Sequence, residues 1–470
     1  MLFKKKYLII FSLFLLLLII SGLSLLNANN SFSKKIKDNT PNQIKILLKN
    51  SIFYIPIKFR ELNKLKIENE NLKQYTRDLD LENKSLKNQM NFGKSSIDIL
   101  NFKNDYKLTK YVLPFYSKKS LYANKNKGYL DLYENYILVF FGSGKSILIE
   151  IETLNNKKFI YQELNNNLNK LKLFDQKIKW TGIKDIKIDE DKVYVSLTKD
   201  YGDNCYQTEI FVSEFNTKEL IFKDMKTNNN NTCAAVNSVV KSYPSYKNFN
   251  GYQNGGRIVT DSDNIYFTIG DYNQWDRVQD LDNNFGKILK IDKKHLNHKI
   301  ISKGHRNQQG MYLVNSDIIL TTEHGPKGGD EINLLNINDE SVQNFGWPIS
   351  SYGNHYESVP LNKAINKIAP LNKQHEKFGF IEPIYYFKNS IGISEIIKNY
   401  YSSKNSFFVT SLKEKKIYEI EFGDNFKNPK IIDEINVGER IRDIIYNKEE
   451  NKYYLYLEST PNLAILENSN

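Results

Sequence analysis

Apolar residues follow three different patterns along this chain. Residues 7–26 form an uncharged apolar segment, YLIIFSLFLLLLIISGLSLL, which is long enough to cross a bilayer as a helix. Leucines then recur at strict seven-residue intervals, at Leu65, Leu72, Leu79 and Leu86. From about residue 100 the helical periodicity disappears, and short strands rich in tyrosine and phenylalanine alternate with polar turns.

The strand pattern of the C-terminal part repeats. Each instance is a short apolar strand, a polar turn and a second apolar-aromatic strand. The six instances are YLDLYENYILVFFGSG (129–144), DIKIDEDKVYVSLTKD (185–200), RIVTDSDNIYFTIGD (257–271), GMYLVNSDIILTTEHG (310–325), ISEIIKNYYSSKNSFFVTSLK (393–413) and IRDIIYNKEENKYYLYLES (441–459). Related hairpins at such spacings indicate a repeat architecture, and four strands per blade give six blades of about 60 residues. The sequence predicts an all-β six-bladed β-propeller over residues 100–465.

The apolar segment at 7–26 has two interpretations. A cleaved signal peptide usually has a shorter apolar region and a small-residue cleavage site, whereas LNA at 26–28 places leucine at a position where a small residue is expected. We therefore predict an uncleaved signal-anchor over 1–30, with a cleaved signal peptide as the alternative. The lysines in MLFKKK favour a cytoplasmic N-terminus, so the rest of the chain is exported in either case. A bacterial inner membrane with a single-pass anchor and a periplasmic propeller fits best.

Between the anchor and the propeller, a polar spacer (31–58) precedes a coiled-coil-like helix (59–92). If the four leucines occupy d positions, the a positions are Leu62, Asn69, Thr76 and Asn83. Asparagine at an a position can specify a dimer register at a cost in stability, so this seam is weak. The pattern predicts a homodimer through 62–90; the alternative is an amphipathic helix that lies on the neighbouring domain.

Charge and cysteine content change this interpretation little. The net charge is +12, but the lysines are scattered among asparagines with no arginine-rich stripe, so we predict no nucleic-acid partner. Cys205 and Cys233 are the two cysteines. They form a disulfide in an oxidising compartment or remain two buried thiols, and the sequence leaves both open.

Polar residues cluster at one end of the predicted hairpins. The start of the first strand and the end of the second lie together, so equivalent hairpins bring these ends to one face, around the mouth of the axial funnel. The side chains expected there are Arg257, His305, Arg306, Asn307, Lys413, Arg440 and Arg442. Converging cations suit a planar ligand with several carboxylates, because arginine pairs with carboxylates through two hydrogen bonds.

The loop EHGPKGGDEIN (323–333) has more glycine and acidic residues than a simple turn requires. Glycine lets backbone carbonyls point inward, and hard cations such as Ca²⁺ bind carbonyl and carboxylate oxygens. We expect the carbonyls of Gly325 and Pro326 to face one cation in the funnel. Asp330 and Glu331 are expected to hold a second cation that stiffens the loop.

These motifs resemble the soluble glucose dehydrogenase / sorbosone dehydrogenase family. The resemblance rests on GHRNQQG (304–310), EHGPKGGDEINLL (323–335), NFGWP (344–348), TSLK (410–413) and ERIRDII (439–445), which occur in the family's order. It implies a six-bladed propeller that binds pyrroloquinoline quinone (PQQ) and calcium, oxidises aldose sugars and passes electrons to a carrier. By motif position, the implied PQQ contacts are Arg306, Asn307, Lys413, Arg440 and Arg442. Gly325 and Pro326 correspond to the carbonyl ligands of the quinone-bound calcium.

One position departs from the family pattern. The family's general-base histidine precedes the GGR arginine by four residues, and here that position is Gln253. An amide cannot take the proton of a sugar hydroxyl, although Asp271, which resembles the acid that orients that histidine, is retained. The resemblance thus leaves two hypotheses: a membrane-anchored PQQ-dependent aldose dehydrogenase with an altered base, or a catalytically inactive propeller that serves as a binding module.

Overall fold

The computed structural model describes residues 95–100, 106–115, 126–156, 158–168, 182–201, 205–227, 251–357, 359 and 362–468, together with scattered residues between 42 and 76. The chain divides into two compact units, 1–80 and 81–470. In the first unit the described residues are helical, and Leu65 and Leu72 are exposed; the dimer remains a prediction. No helix among the described residues has the length and hydropathy needed to cross a membrane, and the segment 7–26 lies outside them.

The second unit consists mainly of β-strands. In chain order they are β1 (Ser95–Leu100), β2 (Tyr106–Val112), β3 (Gly128–Tyr133), β4 (Tyr136–Phe141), β5 (Ser146–Glu150), β6 (Tyr161–Asn166), β7 (Ile183–Asp189), β8 (Lys192–Asp200), β9 (Tyr206–Glu214), β10 (Glu219–Leu220), β11 (Lys223–Asp224), β12 (Gly255–Thr260), β13 (Asn264–Ile269), β14 (Lys287–Asp292), β15 (His298–Lys303), β16 (Gln308–Leu313), β17 (Ile318–Glu323), β18 (Asp330–Asn336), β19 (Gln343–Asn344), β20 (Tyr385–Phe387), β21 (Ile393–Lys398), β22 (Ser406–Ser411), β23 (Lys416–Glu421), β24 (Lys430–Asn436), β25 (Ile441–Asn447), β26 (Lys452–Leu457) and β27 (Asn462–Asn468). The short helical segments are Ile151–Asn155, Trp275–Arg277, Lys363–Ile368, His375–Phe378 and Asp424–Phe426.

The strands form six sheets, which are the blades of a propeller. Numbered along the chain from β3, they are β3–β6 with β10, β7–β9 with β11, β12–β15 with β19, β16–β18 with β20, β21–β24, and β25–β27 with β2 and β1. The first strand of each blade contacts the first strands of the blades on either side, closing a ring around the axis. The six predicted hairpins are the two inner strands of the six blades. The prediction of an all-β six-bladed propeller is confirmed.

Stacking of the blades explains why the inner strands are apolar on both faces. In β4, YILVFF, every residue after the first is buried, because each side of the sheet packs against an adjacent blade. The outermost strand β24, KIIDEIN, keeps most of its residues partly or fully exposed. Large aromatic side chains fill the wedge-shaped space between neighbouring blades, including Tyr106, Phe140, Tyr266, Phe267 and Tyr453.

The sixth blade contains strands from both ends of the propeller sequence. Its order is β1-β2-β27-β26-β25, and β2 pairs antiparallel with β27 from Tyr106 opposite Asn468 to Val112 opposite Asn462. This pairing joins the segment that precedes the first blade to the last strand of the propeller. Nothing in the hairpin repeat had predicted it, because β1 and β2 lie before the first repeat.

A bulge recurs where the inner strands begin. The register between the first two strands shifts between Ile183 and Asp185, Gly255 and Ile258, Gln308 and Gly310, Ile393 and Ile396, and Ile441 and Asp443. A bulge adds a residue to one strand and redirects the side chains around it. The recurrence therefore determines which side chains point into the axis of the ring.

Candidate active site

Arg306 lies at the centre of the predicted site, in the connection between β15 and β16. Its guanidinium donates from Nη1 to the carbonyls of His324 (3.0 Å) and Gly325 (2.9 Å) and lies 5.4 Å from the centre of the Trp347 ring. Its backbone N–H donates to the carboxylate of Glu323. The GHRN motif, the glycine-proline loop and the NFGWP motif thus meet at one buried arginine.

Gln253 and Asp271 lie directly beside Arg306. The amide nitrogen of Gln253 donates to Asp271 Oδ1 at 2.5 Å, and its oxygen accepts from Arg306 Nη2 at 2.6 Å. The nitrogen and oxygen of this amide are assigned from those partners, because only this orientation gives each acceptor a donor. The predicted neighbourhood of Gln253, Asp271 and Arg306 is present in the structure.

Asp271 is fully buried and its oxygens are in use. It is 0% exposed, and besides Gln253 it accepts from the backbone N–H of Asn273 (2.8 Å) and from Trp347 Nε1 (2.7 Å). Burial raises its pKa to about 7, against the opposing effect of the nearby Arg306 charge. Asp271 is therefore poised to gain or lose a proton near neutral pH, but its oxygens are engaged by Gln253, Asn273 and Trp347.

Arg440 and Arg442 share one carboxylate on the sixth blade. Arg440 Nε donates to Glu458 Oε1 (2.6 Å) and Arg442 Nε to Glu458 Oε2 (2.7 Å). Burial alone raises the pKa of Glu458, but the two arginines hold it at about 2. Arg442 Nη1 also donates to Gln309 Oε1 (3.0 Å) of the fourth blade, so both arginines are held in place while one carboxylate balances only part of their charge.

Two lysines join these arginines and were missed by the sequence analysis. The pKa of Lys127 is lowered to about 7, mainly by burial. The charges of Arg442 and Arg440 also lower it, and together they outweigh the opposing effect of Glu458. The pKa of Lys184 lies well below its usual value, mainly because the side chain is buried. The charges of Lys127 and Arg442 lower this pKa as well. We call Lys127, Lys184, Arg440 and Arg442 the basic cluster. The available signal was positional, since Lys127 and Lys184 stand at the starts of the first and second predicted hairpins.

Other predicted members of the mouth have different surroundings. Asn307 Oδ1 accepts from the backbone N–H of Gly255 (3.2 Å), which links the third and fourth blades. The Lys413 side chain is 61% exposed, with Nζ donating to the carbonyl of Ser390 (2.9 Å), so it lies at the rim. The prediction for His305 was wrong: it is fully buried between Ser302 Oγ (2.8 Å) and Glu323 Oε2 (2.9 Å), where it supports the backbone.

The expectation that Arg257 faces the mouth was also wrong. Its Nη1 lies 2.8 Å from Asp185 and 2.9 Å from Asp443, and its Nη2 lies 2.6 Å from Glu395. These three carboxylates and Arg257, which we call the axial cluster, come from four different inner strands. Arg257 is thus neutralised inside the ring and contributes no charge to an anionic ligand at the mouth.

The two carbonyl oxygens predicted to bind calcium each accept one hydrogen bond within the protein. Gly325 O accepts from Arg306 (2.9 Å) and Pro326 O accepts from Tyr356 Oη (2.7 Å). Each carbonyl oxygen has two lone pairs, so each keeps one for a cation, and the donor set fits Ca²⁺. Gly329 shapes this loop: its φ is +68°, and a Cβ there would lie 2.1 Å from the backbone nitrogen of Gly353.

Asp330 and Glu331 have surroundings that the sequence did not predict. Asp330 accepts from the backbone N–H groups of Gly325, Ile391, Gly392 and Ile393 and from Ser390 Oγ, at 2.8–3.2 Å. It therefore clamps the loop to the fifth blade. Burial and the charge of Glu323 raise the pKa of Glu331 well above its usual value. No group of three or more His, Cys, Asp or Glu side chains in the described ranges is arranged to hold a metal, and the second cation stays a prediction.

Comparison with known proteins places this geometry in context. The sequence profile of the Glucose / Sorbosone dehydrogenase family matches residues 178–464. The aldose sugar dehydrogenase YliI of Escherichia coli is 29% identical over 232 residues, which cover 44% of this chain and 58% of that protein. Quinoprotein glucose dehydrogenase B of Acinetobacter calcoaceticus is 27% identical over 182 residues, 28% of this chain and 37% of that protein. The matched part of the chain thus spans 58% of the length of the first relative and 37% of the length of the second.

Solved structures share the fold. The apo form of the soluble aldose sugar dehydrogenase of Escherichia coli superimposes with a TM-score of 0.56 at 19% identity, covering 80% of this chain and all of the other. The PQQ-bound form of aldose sugar dehydrogenase from Streptomyces coelicolor gives 0.51 at 16% identity, covering 80% and 99%.

Proposed function

This chain belongs to the glucose / sorbosone dehydrogenase family, and we propose that it is a PQQ- and calcium-dependent dehydrogenase that oxidises an aldose sugar. We further propose that residues 7–26 anchor it in a bacterial inner membrane, with the propeller in the periplasm. Electrons pass to a separate carrier in this proposal, and residues 62–90 form a homodimer.

The basic cluster carries the proposal. Lys127, Arg440 and Arg442 lie around a single carboxylate, Glu458, and Lys184 lies close enough to Lys127 and Arg442 to feel their charges. Lys184 and Arg442 are buried, whereas the Arg440 side chain is 41% exposed. Buried cations bind an anion more strongly than exposed ones, because the surroundings screen their charges less. PQQ has three carboxylates and a planar ring system, which suit arginine side chains held in fixed orientations.

The roles of the chain's own residues follow from their positions. When bound, PQQ supplies an ortho-quinone that accepts a hydride equivalent from the sugar. The basic cluster would hold its carboxylates, and the Gly325 and Pro326 carbonyls would hold Ca²⁺. Gln253 can hydrogen-bond a sugar hydroxyl but cannot take its proton. Asp271, with a pKa of about 7, can hold that proton, yet both of its oxygens already accept hydrogen bonds, from Gln253, Asn273 and Trp347. We therefore expect slow turnover in the native chain.

The proposal is tested by titrating PQQ into the calcium-loaded chain and following the absorbance of the bound quinone. Arg442→Gln is expected to weaken binding by about 10- to 100-fold, because it removes hydrogen bonds from a charged group. Lys448→Gln is the matched control, since Lys448 is exposed at the far end of the same hairpin and should bind as the native chain does. If the native chain binds no quinone, the proposed function is wrong. Quinone that binds but is reduced by no aldose would favour the inactive binding module.

Quinone affinity is expected to depend on pH through Lys127. Its pKa of about 7 means that the side chain loses its charge as the pH rises through neutrality, and a bound carboxylate raises that pKa. Affinity should therefore fall above pH 7, by up to about tenfold per pH unit, until the pKa of the complex is reached. Dissociation constants measured between pH 6 and 9 check this, with Lys127→Met expected to flatten the dependence. Equal affinity of the native chain at pH 6 and 9 would contradict the prediction.

A further inference from the structure

A second group of oxygen atoms lies away from the mouth, between the fifth and sixth blades. A cleft of about 350 Å³ opens there, lined by residues that include Tyr106, Asn399, Tyr401, Glu419, Asp433 and Asn468. Glu419 and Asp433 belong to strands β23 and β24 of the fifth blade, whereas Tyr106 and Asn468 belong to the paired strands β2 and β27 of the closing blade.

The two carboxylates are placed side by side. Glu419 is directly opposite Asp433 in the antiparallel ladder of β23 and β24, so both side chains lie on the same face of the sheet. Like charges at directly opposite positions destabilise a sheet. Glu419 is also only 2% exposed, so water screens this repulsion poorly.

One oxygen of each carboxylate has no partner. Glu419 Oε1 accepts from Asn399 Nδ2 (2.7 Å) and Ser406 Oγ (3.1 Å), and Asp433 Oδ1 accepts from the backbone N–H of Glu434 (2.8 Å). Glu419 Oε2 and Asp433 Oδ2 are buried and lack a hydrogen-bond partner among the described residues. Buried carboxylate oxygens are normally paired or bound to a metal.

Two further donors in the lining, Lys404 and Tyr401, are directed away from the carboxylates. Lys404 lines the cleft, but its Nζ donates to Glu421 Oε2 (2.7 Å) on an exposed part of the surface. The hydroxyl of Tyr401 donates to the carbonyls of Asn451 (3.1 Å) and Leu466 (2.9 Å). The described lining contains no histidine or cysteine, so the ligands on offer are oxygen atoms, which select hard cations.

We propose that Glu419 and Asp433 bind a hydrated divalent cation, with Ca²⁺ as the ion that their paired carboxylates suit. The bound cation would remove the repulsion between the two side chains and satisfy their free oxygens. Both ligands belong to the fifth blade, and strands β2 and β27 of the closing blade line the same cleft. This site is separate from the mouth and does not depend on PQQ or on the proposed reaction.

The proposal is tested with terbium, a luminescent substitute for Ca²⁺ that tyrosine excites at short range. Tyr106 and Tyr401 line the cleft, but Tyr356 contacts the Pro326 carbonyl at the mouth (2.7 Å). The calcium-stripped chain, without PQQ, is therefore titrated with Tb³⁺ under tyrosine excitation in a Gly329→Ala background, which distorts the loop at the mouth. Glu419→Gln and Asp433→Asn are each expected to weaken the tyrosine-sensitised binding at least tenfold. Glu434→Gln is the matched control: Glu434 is the next residue on the same strand, pairs with Lys416 (2.7 Å) on the surface and should leave binding unchanged.

Thermal unfolding gives an independent measurement. Added Ca²⁺ should raise the unfolding temperature of the native chain and of Glu434→Gln, and should raise it clearly less for Glu419→Gln and Asp433→Asn. A Gly329→Ala variant, which distorts the loop at the mouth, should keep the tyrosine-sensitised binding and so separates the two sites. If both carboxylate variants bind Tb³⁺ as tightly as the native chain, the proposal is overturned. It is also overturned if the two variants unfold at higher temperatures than the native chain and Ca²⁺ changes the unfolding temperature of none of these chains.

Discussion

Replacing Gln253 by histidine is expected to raise the rate of sugar-dependent quinone reduction by about 10²- to 10⁴-fold, the usual contribution of a positioned general base. The site is already arranged to receive an imidazole. The φ of residue 253 is +57°, in the left-handed region where histidine is among the better tolerated residues. Asp271 lies within hydrogen-bond distance of the side chain at this position, so it would accept from one ring nitrogen and leave the other to face the sugar.

The measurement is the absorbance change of bound PQQ after an aldose is added to the calcium-loaded chain. Gln253→Asn, which keeps an amide, should bring no gain in rate. Adding Asp271→Asn to Gln253→His should remove much of the gain, because the imidazole loses the acid that orients it. If Gln253→His binds PQQ as well as the native chain yet reduces it no faster, proton transfer to residue 253 does not limit this protein, and the prediction is wrong.

Replacing Arg257 by methionine is expected to lower the free energy of unfolding by about 3–5 kcal/mol, the usual cost of removing one partner of a buried ion pair. Arg257 is the cation that holds Asp185, Glu395 and Asp443 together. These acids also accept backbone N–H groups of neighbouring inner strands, as Asp185 does from Ile258 (2.7 Å). Without the guanidinium, the carboxylates that are charged at pH 8 would lack a compensating cation inside the ring.

Chemical denaturation of the native and Arg257→Met chains checks this value. Lys448→Met, on an exposed turn, is the control and should change stability little. Adding Asp185→Asn and Glu395→Gln to Arg257→Met should restore part of the loss, because those changes remove the charges left unpaired. An Arg257→Met chain as stable as the native one at pH 8 would contradict the prediction.

The axial cluster also gives the native fold a pH dependence. Burial raises the pKa of Asp185 to about 7 and that of Glu395 to about 8, against the opposing charge of Arg257. Both values lie above those of the unfolded chain, so the native state binds more protons between about pH 4 and 8. The contribution of this cluster to stability therefore falls as the pH rises through that range.

The fold was predictable because one pattern repeats six times. A single hairpin such as RIVTDSDNIYFTIGD is ambiguous, but six at regular spacings limit the architecture to a propeller. The meeting of Arg306 with the glycine-proline loop followed from the same regularity, because equivalent strand ends lie on one face. The sixth blade was not predictable in this way, since the pairing of β2 with β27 leaves no local signal.

The error at Arg257 came from the bulge at the start of β12. A shift of one residue moves a strand side chain to the opposite face. The register of β12 shifts between Gly255 and Ile258, and this turns Arg257, the arginine of the GGR motif, into the axis. Lys127 and Lys184 were missed for a different reason: in a lysine-rich sequence, nothing distinguishes the lysines that folding buries from the exposed ones.

The shared sixth blade has a consequence for the order of folding. The ring closes only when residues 462–468 have been synthesised and have paired with β2, whereas each inner hairpin can form as soon as it emerges. Closing a loop of several hundred residues costs roughly 3–4 kcal/mol more chain entropy than closing a hairpin, so this pairing should come late. Until then the first and fifth blades each expose an apolar face. A chaperone that recognises extended apolar strands would therefore bind this protein mainly before β27 pairs with β2. It would continue to bind a chain that ends before residue 462.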